Sequence, residues 1–365
     1  EGRDKNQHST YHHFLIEKGF PPDKRSKDGF LEYSRPYAAS LSEEFTKSAY
    51  LAGEACRFLE EAQGEPFILY VNFLEPHMPF FGPRNSQYDP NEIPLPPTFD
   101  SELKEDQSLQ ARLMGRALRE YGQNGLPLKT ESDWRRLIAN YWGLVSQIDT
   151  QIGRIIDKVE ELGLMENTII VYTSDHGDMM GSHQLLTKAV MYQEAVKVPL
   201  LIKIPGMDCS GRRIKAPISQ VDLVPTLLEL MGQDVSEHLQ GQSWVPYLLG
   251  EDELEREDVF IEWAGGDFKF IDELKKDDIP EFWKDLVSTK EEALEAINDP
   301  IRTIITPEGW KYNWSLRGKD ELYNLNEDPY ETHNLVKDSQ YTSLIEELRE
   351  RIRRWSQVTD DPVKF

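Results

Sequence analysis

Four residues in two short stretches have the types and spacing to handle an anion: His77, Asp175, His176 and Lys188. Asp175 and His176 adjoin in Ser174-Asp-His-Gly-Asp178, directly after the apolar, β-branched run Thr168–Thr173. A carboxylate and an imidazole side by side can hold a metal ion. Lys188, further along the same stretch, can hold an anion. His77 lies in Glu75-Pro-His-Met-Pro79, where a proline on either side fixes the backbone and gives the ring a defined direction. The plainer alternatives are an acidic, glycine-containing turn after a core strand and a loop histidine that packs. His12 and His13 read as surface histidines, and Asp222 as a helix cap rather than a catalytic acid.

Bringing such residues to one edge takes alternating helices and strands. Thr168–Thr173, Phe67–Phe73 and Val198–Ile204 read as buried strands, each running into a polar or Pro/Gly-containing segment. Phe45, Ala49, Ala52, Cys56 and Leu59 recur at helical spacing, after a start signal at Ser42-Glu43-Glu44 and before a stop at Gly64. Trp134–Val159 carries the longest amphipathic pattern and stops near Gly163. Helices alternating with strands predict a mostly parallel sheet between helices, an α/β fold, with chemistry at the carboxyl ends of the strands.

The flanking segments read differently. Residues 1–41 look extended and irregular, 81–97 a surface loop, and 98–130 polar and weakly helical. Gln220–Gly232 predicts a helix with Pro225 in its first turn. Residues 251–299 are an acidic, part-helical insertion. Ile301–Ile305, Trp310–Trp314 and Glu321–Leu325 predict short antiparallel strands, and Leu344, Ile345, Leu348, Ile352 and Trp355 line a final helix. The expected division is a catalytic domain over 1–250 and a small α+β subdomain over 251–365.

The net charge of −24 over 365 residues argues against a nucleic-acid or anionic-membrane binder. An anionic substrate must then meet a local positive charge or a metal, which singles out Lys188. No apolar run approaches the length of a membrane span. The two cysteines, Cys56 and Cys209, define neither a disulfide framework nor a zinc site, and Cys56 reads as an inert core thiol.

Taken together, Ser174-Asp-His-Gly-Asp178 with Gly181 and Lys188, Pro76-His-Met-Pro-Phe80, Val198-Pro-Leu200 before Ile204-Pro-Gly206, and Glu321-Leu-Tyr-Asn-Leu325 with Asp328-Pro-Tyr-Glu331 and Asn334-Leu335 resemble type I sulfatases of the alkaline-phosphatase-like superfamily. The resemblance covers most of residues 40–360, in the family's order. It implies that Asp175 and His176 are metal ligands, that Lys188 contacts the sulfate, and that His77 lies beside the sulfate and its leaving group. Calcium is the implied metal, with manganese or magnesium as alternatives, and the imidazole at 176 shifts the balance toward manganese or another transition metal. Asp178 and His183, in the same loop, read as support rather than ligands.

One departure matters. The family's formylglycine nucleophile arises from Cys/Ser-x-Pro-Ser-Arg, and Cys209-Ser-Gly-Arg-Arg213 lacks both the proline and the following serine. Asp277-Asp278 lies in the acidic insertion, not after a first strand where the family's early metal pair belongs. These absences fall on the N-terminal side, and the chain begins without Met. The expectation is the C-terminal two-thirds of a sulfuric-ester hydrolase, inactive alone because it carries no nucleophile. The implied substrate is a small aryl, alkyl or carbohydrate sulfate, with no nucleic acid; a homo-oligomer and either an exported or a cytoplasmic location are left open. A phosphonate monoester or phosphodiester hydrolase on the same scaffold, and a non-catalytic remnant, are the alternatives.

Overall fold

The computed structural model describes residues 8–27, 29, 31–207, 211–250, 257–266 and 279–365. Cys209 and the Asp277-Asp278 pair lie outside them. Two compact units divide the chain: residues 1–95, 121–171 and 202–207 form the first, and 96–120, 172–201 and 208–365 the second.

The first unit begins with helix α1 (Thr10–Glu17), the short hairpin β1 (Lys24–Arg25) and β2 (Leu31–Glu32), and helix α2 (Arg35–Ala39). The opening segment is therefore more ordered than its composition predicts. Its aromatic residues supply the reason: Tyr11, Leu15 and Leu41 are buried among Phe14, Phe20, Tyr33 and Phe45. Helix α3 (Lys47–Glu61) buries Ala49, Ala52, Ala55 and Leu59, a small-residue face that lets its backbone approach helix α5 (Glu131–Glu161) closely. Gln147 on α5 donates from Nε2 to the buried Ser48 hydroxyl at 2.7 Å inside that contact. Cys56 is half-buried, its thiol 3.6 Å from the Arg154 carbonyl, rather than in the core.

The start of α3 differs from the expectation. Ser42-Glu43-Glu44 opens a separate 3-10 turn, and the Thr46 hydroxyl caps the helix by accepting from Ala49 N. Glu43 is held away from the helix because its carboxylate accepts from Arg84 Nε at 2.8 Å. Helix α5 starts where Thr130 and Asp133 form a capping box, the Thr130 hydroxyl accepting from Asp133 N and the Asp133 carboxylate from Thr130 N. Thr130→Ala is expected to lower stability by about 1 kcal/mol, read as a shifted urea midpoint with unchanged slope.

Phe67–Leu74 is extended, with its side chains alternately half-buried and exposed, and carries no ladder bonds among the described residues. It is thus not the buried strand its apolar composition predicts: Ile68 and Tyr70 are 83% and 84% exposed. A strand is buried by neighbours on both faces, and the described residues place none on the outer one. Strands β3 (Ile170–Thr173) and β4 (Leu200–Lys203) make a two-stranded sheet.

The second unit is built around helix α4 (Leu109–Tyr121), in a stretch expected to be only weakly helical. Ala111 and Met114 on one side meet Met179, Leu185, Val190 and Tyr192. Leu113 and Ala117 on the other meet Trp283, Val287, Ala293 and Ile297. The indole of Trp283, fully buried, donates to the Leu113 carbonyl at 2.9 Å. Short helices α6 (Gln193–Val196), α7 (Leu223–Leu230), α8 (Val245–Leu249) and α9 (Lys290–Ile297) follow. Asp222 accepts from Ser219 N in a capping box on the 3-10 turn Gln220–Asp222 and makes no side-chain cap to α7; it also accepts from Gln242 N and the Trp244 indole.

Strands β5 (Val259–Trp263), β6 (Ile301–Ile305), β7 (Trp310–Ser315) and β8 (Glu321–Asn324) pair antiparallel in that order. The register sets Trp263 opposite Ile301, Ile301 opposite Ser315, and Asn313 opposite Glu321. Strand β5 falls within the acidic stretch expected to be helical in part. Ile304, Tyr312, Trp314 and Leu322 pack against Ile345, Leu348 and Ile352 of helix α10 (Thr342–Val358). The alternate positions of β7, Lys311 and Asn313, point to the opposite face and are buried as well. A polar face of a sheet is therefore fully covered here, and its side chains need partners inside the protein.

Candidate functional site

Beyond β3 the chain turns at Ser174-Asp175-His176-Gly177. Asp175 Oδ1 accepts from His176 N at 3.0 Å and lies 3.3 Å from the Ser174 hydroxyl. His176 Nδ1 is 2.8 Å from the Gly177 carbonyl, so Nδ1 carries the proton and Nε2 is left with its lone pair. The remaining acceptors, Asp175 Oδ2 and His176 Nε2, are 3.4 Å apart. Two such atoms held that close, each with its side chain's other polar atom already occupied, could share one cation. The pair offers one hard oxygen and one imidazole nitrogen, which fits part of the coordination sphere of calcium or manganese. Among the described residues no third His, Cys, Asp or Glu completes it.

Gly177 allows the turn to exist. Its N–H donates to the Ala195 carbonyl at 2.8 Å, drawing the turn against α6, and a Cβ there would press on the backbone of Glu194.

From Gly177 the chain loops to Lys188, a half-buried side chain in the same unit. Met180, His183, Gln184, Thr187 and Ala189 all have positive φ, so left-handed backbone at non-glycine positions is concentrated around Lys188. Asp178 holds the loop's neck. Its Oδ1 accepts from Met180 N at 3.0 Å and from Thr187 N at 2.8 Å. Burial pushes its carboxyl above the usual range, against the opposing pull of those two N–H groups, Lys188 and His176. His183 Nε2 donates to the Tyr330 carbonyl at 3.0 Å while its ring stacks on Tyr192. Burial lowers its pKa, against the opposing pull of Glu194, the Tyr330 carbonyl and Asp328. Both side chains are occupied in holding the loop.

His77 belongs to the first unit. Its Nδ1 lies 2.9 Å from the Met78 carbonyl, and the peptide bonds preceding Pro76 and Pro79 are cis. The Arg35 guanidinium is 3.5 Å from the same ring nitrogen. Arg35 starts α2, whose Ser34 cap is held by Asp23. The contact spans 42 residues of sequence and belongs to no motif, so no pattern in the chain points to it. Next to His77, burial raises the pKa of Glu75.

The sulfatase family model matches residues 6–233. A multifunctional alkaline phosphatase superfamily protein, PehA, of Trinickia caryophylli is 26% identical over 94% of this chain and 67% of its own length. An arylsulfatase of Clostridium perfringens is 26% identical over 87% of this chain and 58% of its own. The solved phosphonate monoester hydrolase of Agrobacterium radiobacter superposes with a TM-score of 0.69 at 26% identity, covering 96% of this chain and 69% of that one. The chain thus spans between 58% and 67% of the length of these two curated relatives. A match over more than half of its residues, on an alkaline-phosphatase-like α/β fold, establishes that the chain belongs to the sulfatase family.

Proposed function

We propose that this chain carries the metal and anion ligands of a sulfuric-ester hydrolase. The observation that supports it most is the 3.4 Å approach of Asp175 Oδ2 to His176 Nε2, with Oδ1 and Nδ1 already hydrogen-bonded. A divalent cation bound to this pair, calcium in first place with manganese or magnesium as alternatives, would supply positive charge to the oxygens of a sulfate. Lys188 adds a fixed ammonium to the same task. His77 keeps the role that its motif implies, giving a proton to the departing alkoxide. The substrate is a small aryl, alkyl or carbohydrate sulfate. No Cys/Ser-x-Pro-Ser-Arg motif occurs in these 365 residues, so the formylglycine step has no residue here to carry it.

A second reading is a phosphonate monoester hydrolase, favoured by the likeness to the Agrobacterium radiobacter enzyme. Both readings use the same ligand pair. They separate when the product of the whole gene is assayed on 4-nitrophenyl sulfate and on 4-nitrophenyl phenylphosphonate, the faster substrate deciding.

The ligand assignment is tested on the chain itself. Calorimetric titration with calcium and with manganese is expected to show one site, weakened roughly tenfold or more by Asp175→Ala and by His176→Ala. Unchanged affinity in both variants would remove the assignment. The pure chain is expected to leave 4-nitrophenyl sulfate untouched. Turnover that disappears in Asp175→Ala would show that a nucleophile is present after all.

A further inference from the structure

We propose that Gln110, Lys311 and Glu331 are positioning residues that hold Lys188 in its anion-binding place, a proposal resting on the reading of Lys188 given above. Lys188 stands between Thr187 at φ 66 and Ala189 at φ 76. Left-handed backbone on both sides of one residue, one of them β-branched, persists only where neighbouring groups over-determine it. On the N-terminal side Asp178 accepts from Thr187 N. On the C-terminal side the buried Gln110 of α4 donates from Nε2 to the Ala189 carbonyl at 3.0 Å. Next, Lys311 Nζ donates to the Met191 carbonyl, and Glu331 Oε2 accepts from Gln193 N at 2.6 Å.

Lys311 and Glu331 form an ion pair at 2.5 Å with both side chains wholly buried. Such a pair rarely makes a protein more stable than two apolar side chains would. Its geometry is more telling. Lys311 Nζ also donates to the Met191 carbonyl and the second oxygen of Glu331 accepts from Gln193 N, so both partners grip backbone just beyond Lys188. Lys311 sits on the buried polar face of β7, and Glu331 on the Asp328-Pro-Tyr-Glu331 turn, itself at φ 54. The C-terminal sheet and the turn after it thereby brace the loop that carries the anion ligand. Neither Gln110, Lys311 nor Glu331 is required to touch the substrate.

The test is calorimetric titration of the whole chain with inorganic sulfate, with thermal unfolding measured alongside. Gln110→Leu keeps the size and removes the donor, and is expected to weaken sulfate binding by roughly tenfold, the upper range for one hydrogen bond. Lys311→Met combined with Glu331→Leu replaces the ion pair by an apolar pair that leaves neither partner's charge uncompensated. It is expected to fold and still to bind sulfate about tenfold more weakly, a separation of affinity from stability that a purely structural pair would not produce. Wild-type sulfate affinity in Gln110→Leu and in the folded double variant would overturn the proposal. Lys188→Ala is the control on the underlying reading. Sulfate affinity unchanged by that substitution, or no sulfate uptake by the wild-type chain, would overturn the assignment of Lys188 itself.

Discussion

Gly177→Ala is expected to abolish divalent-cation binding and to cost about 3 kcal/mol or more of stability, at the upper end for overpacking. The added Cβ would lie inside the van der Waals envelope of the Glu194 carbonyl oxygen, 3.0 Å from the Glu194 carbonyl carbon and 3.2 Å from the Lys197 carbonyl oxygen. All three are backbone atoms, so no side-chain rotamer relieves the clash. Relief requires the turn to move off α6, which breaks the bond from Gly177 N to the Ala195 carbonyl and releases the carbonyl that orients His176. Thermal unfolding and calcium titration on the same sample measure both parts. A variant with wild-type metal affinity would mean that the turn is free to shift without disturbing its ligand pair.

Asp361→Ala is expected to destabilise the second unit by about 3–5 kcal/mol, the cost of leaving one member of a buried ion pair without the other. Arg302 Nε donates to Asp361 Oδ2 at 2.7 Å and Nη2 to Oδ1 at 2.6 Å, with both side chains almost wholly buried. Nη1 reaches the carbonyls of Trp263 and Ile301, so four of the five guanidinium donors have partners. The Arg302 hydrogen bonds hold the Asp361 carboxyl below its usual range against the opposing effect of burial. A carboxylate depressed in the folded state binds protons more readily when unfolded. Its contribution is therefore complete above the ordinary aspartate pKa of about 4 and is lost as pH falls through the lower folded value. Urea unfolding between pH 6 and pH 2 is expected to show a steeper acid loss for the wild type than for Asp361→Asn. The comparison of variants matters because Glu75, Glu321 and Glu331 are raised by burial and act in the opposite direction.

The elements most legible in the sequence were those whose pattern and packing agree. Strands β6, β7 and β8 and helix α10 fall close to their expected bounds, because Ile304, Tyr312 and Trp314 alternate in register with a helix stripe that covers them. Helix α4 was less legible. Its charged residues Arg112, Arg116, Arg119 and Glu120 mask two apolar faces that serve two different cores, so no single stripe dominates. Strand β5 was hidden for a related reason, because it runs through an acidic stretch and gains its identity from pairing with β6. At the candidate site the sequence exposes side-chain types and not their commitments. Asp178 and Asp175 look alike in Asp-His-Gly-Asp, yet one is occupied by two backbone N–H groups and the other keeps an oxygen beside an imidazole. Gln110, an amide in a polar stretch, carries no signal at all until the Ala189 carbonyl is seen opposite it.

The extended segment Phe67–Leu74 bears on the solubility of the protein. Apolar side chains on alternating faces with unladdered backbone make a template onto which a second chain can zip, the usual first step of colloidal loss. The residues bracketing it are Glu65-Pro66 on one side and Glu75-Pro76 on the other. Exposed Glu65 supplies a charge that resists stacking, and Pro66 and Pro76 have no N–H to donate, so a growing ladder meets an obstacle at either end. The proline that aims His77 therefore doubles as a gatekeeper, and a change made there to alter chemistry would also alter how well the protein stays in solution.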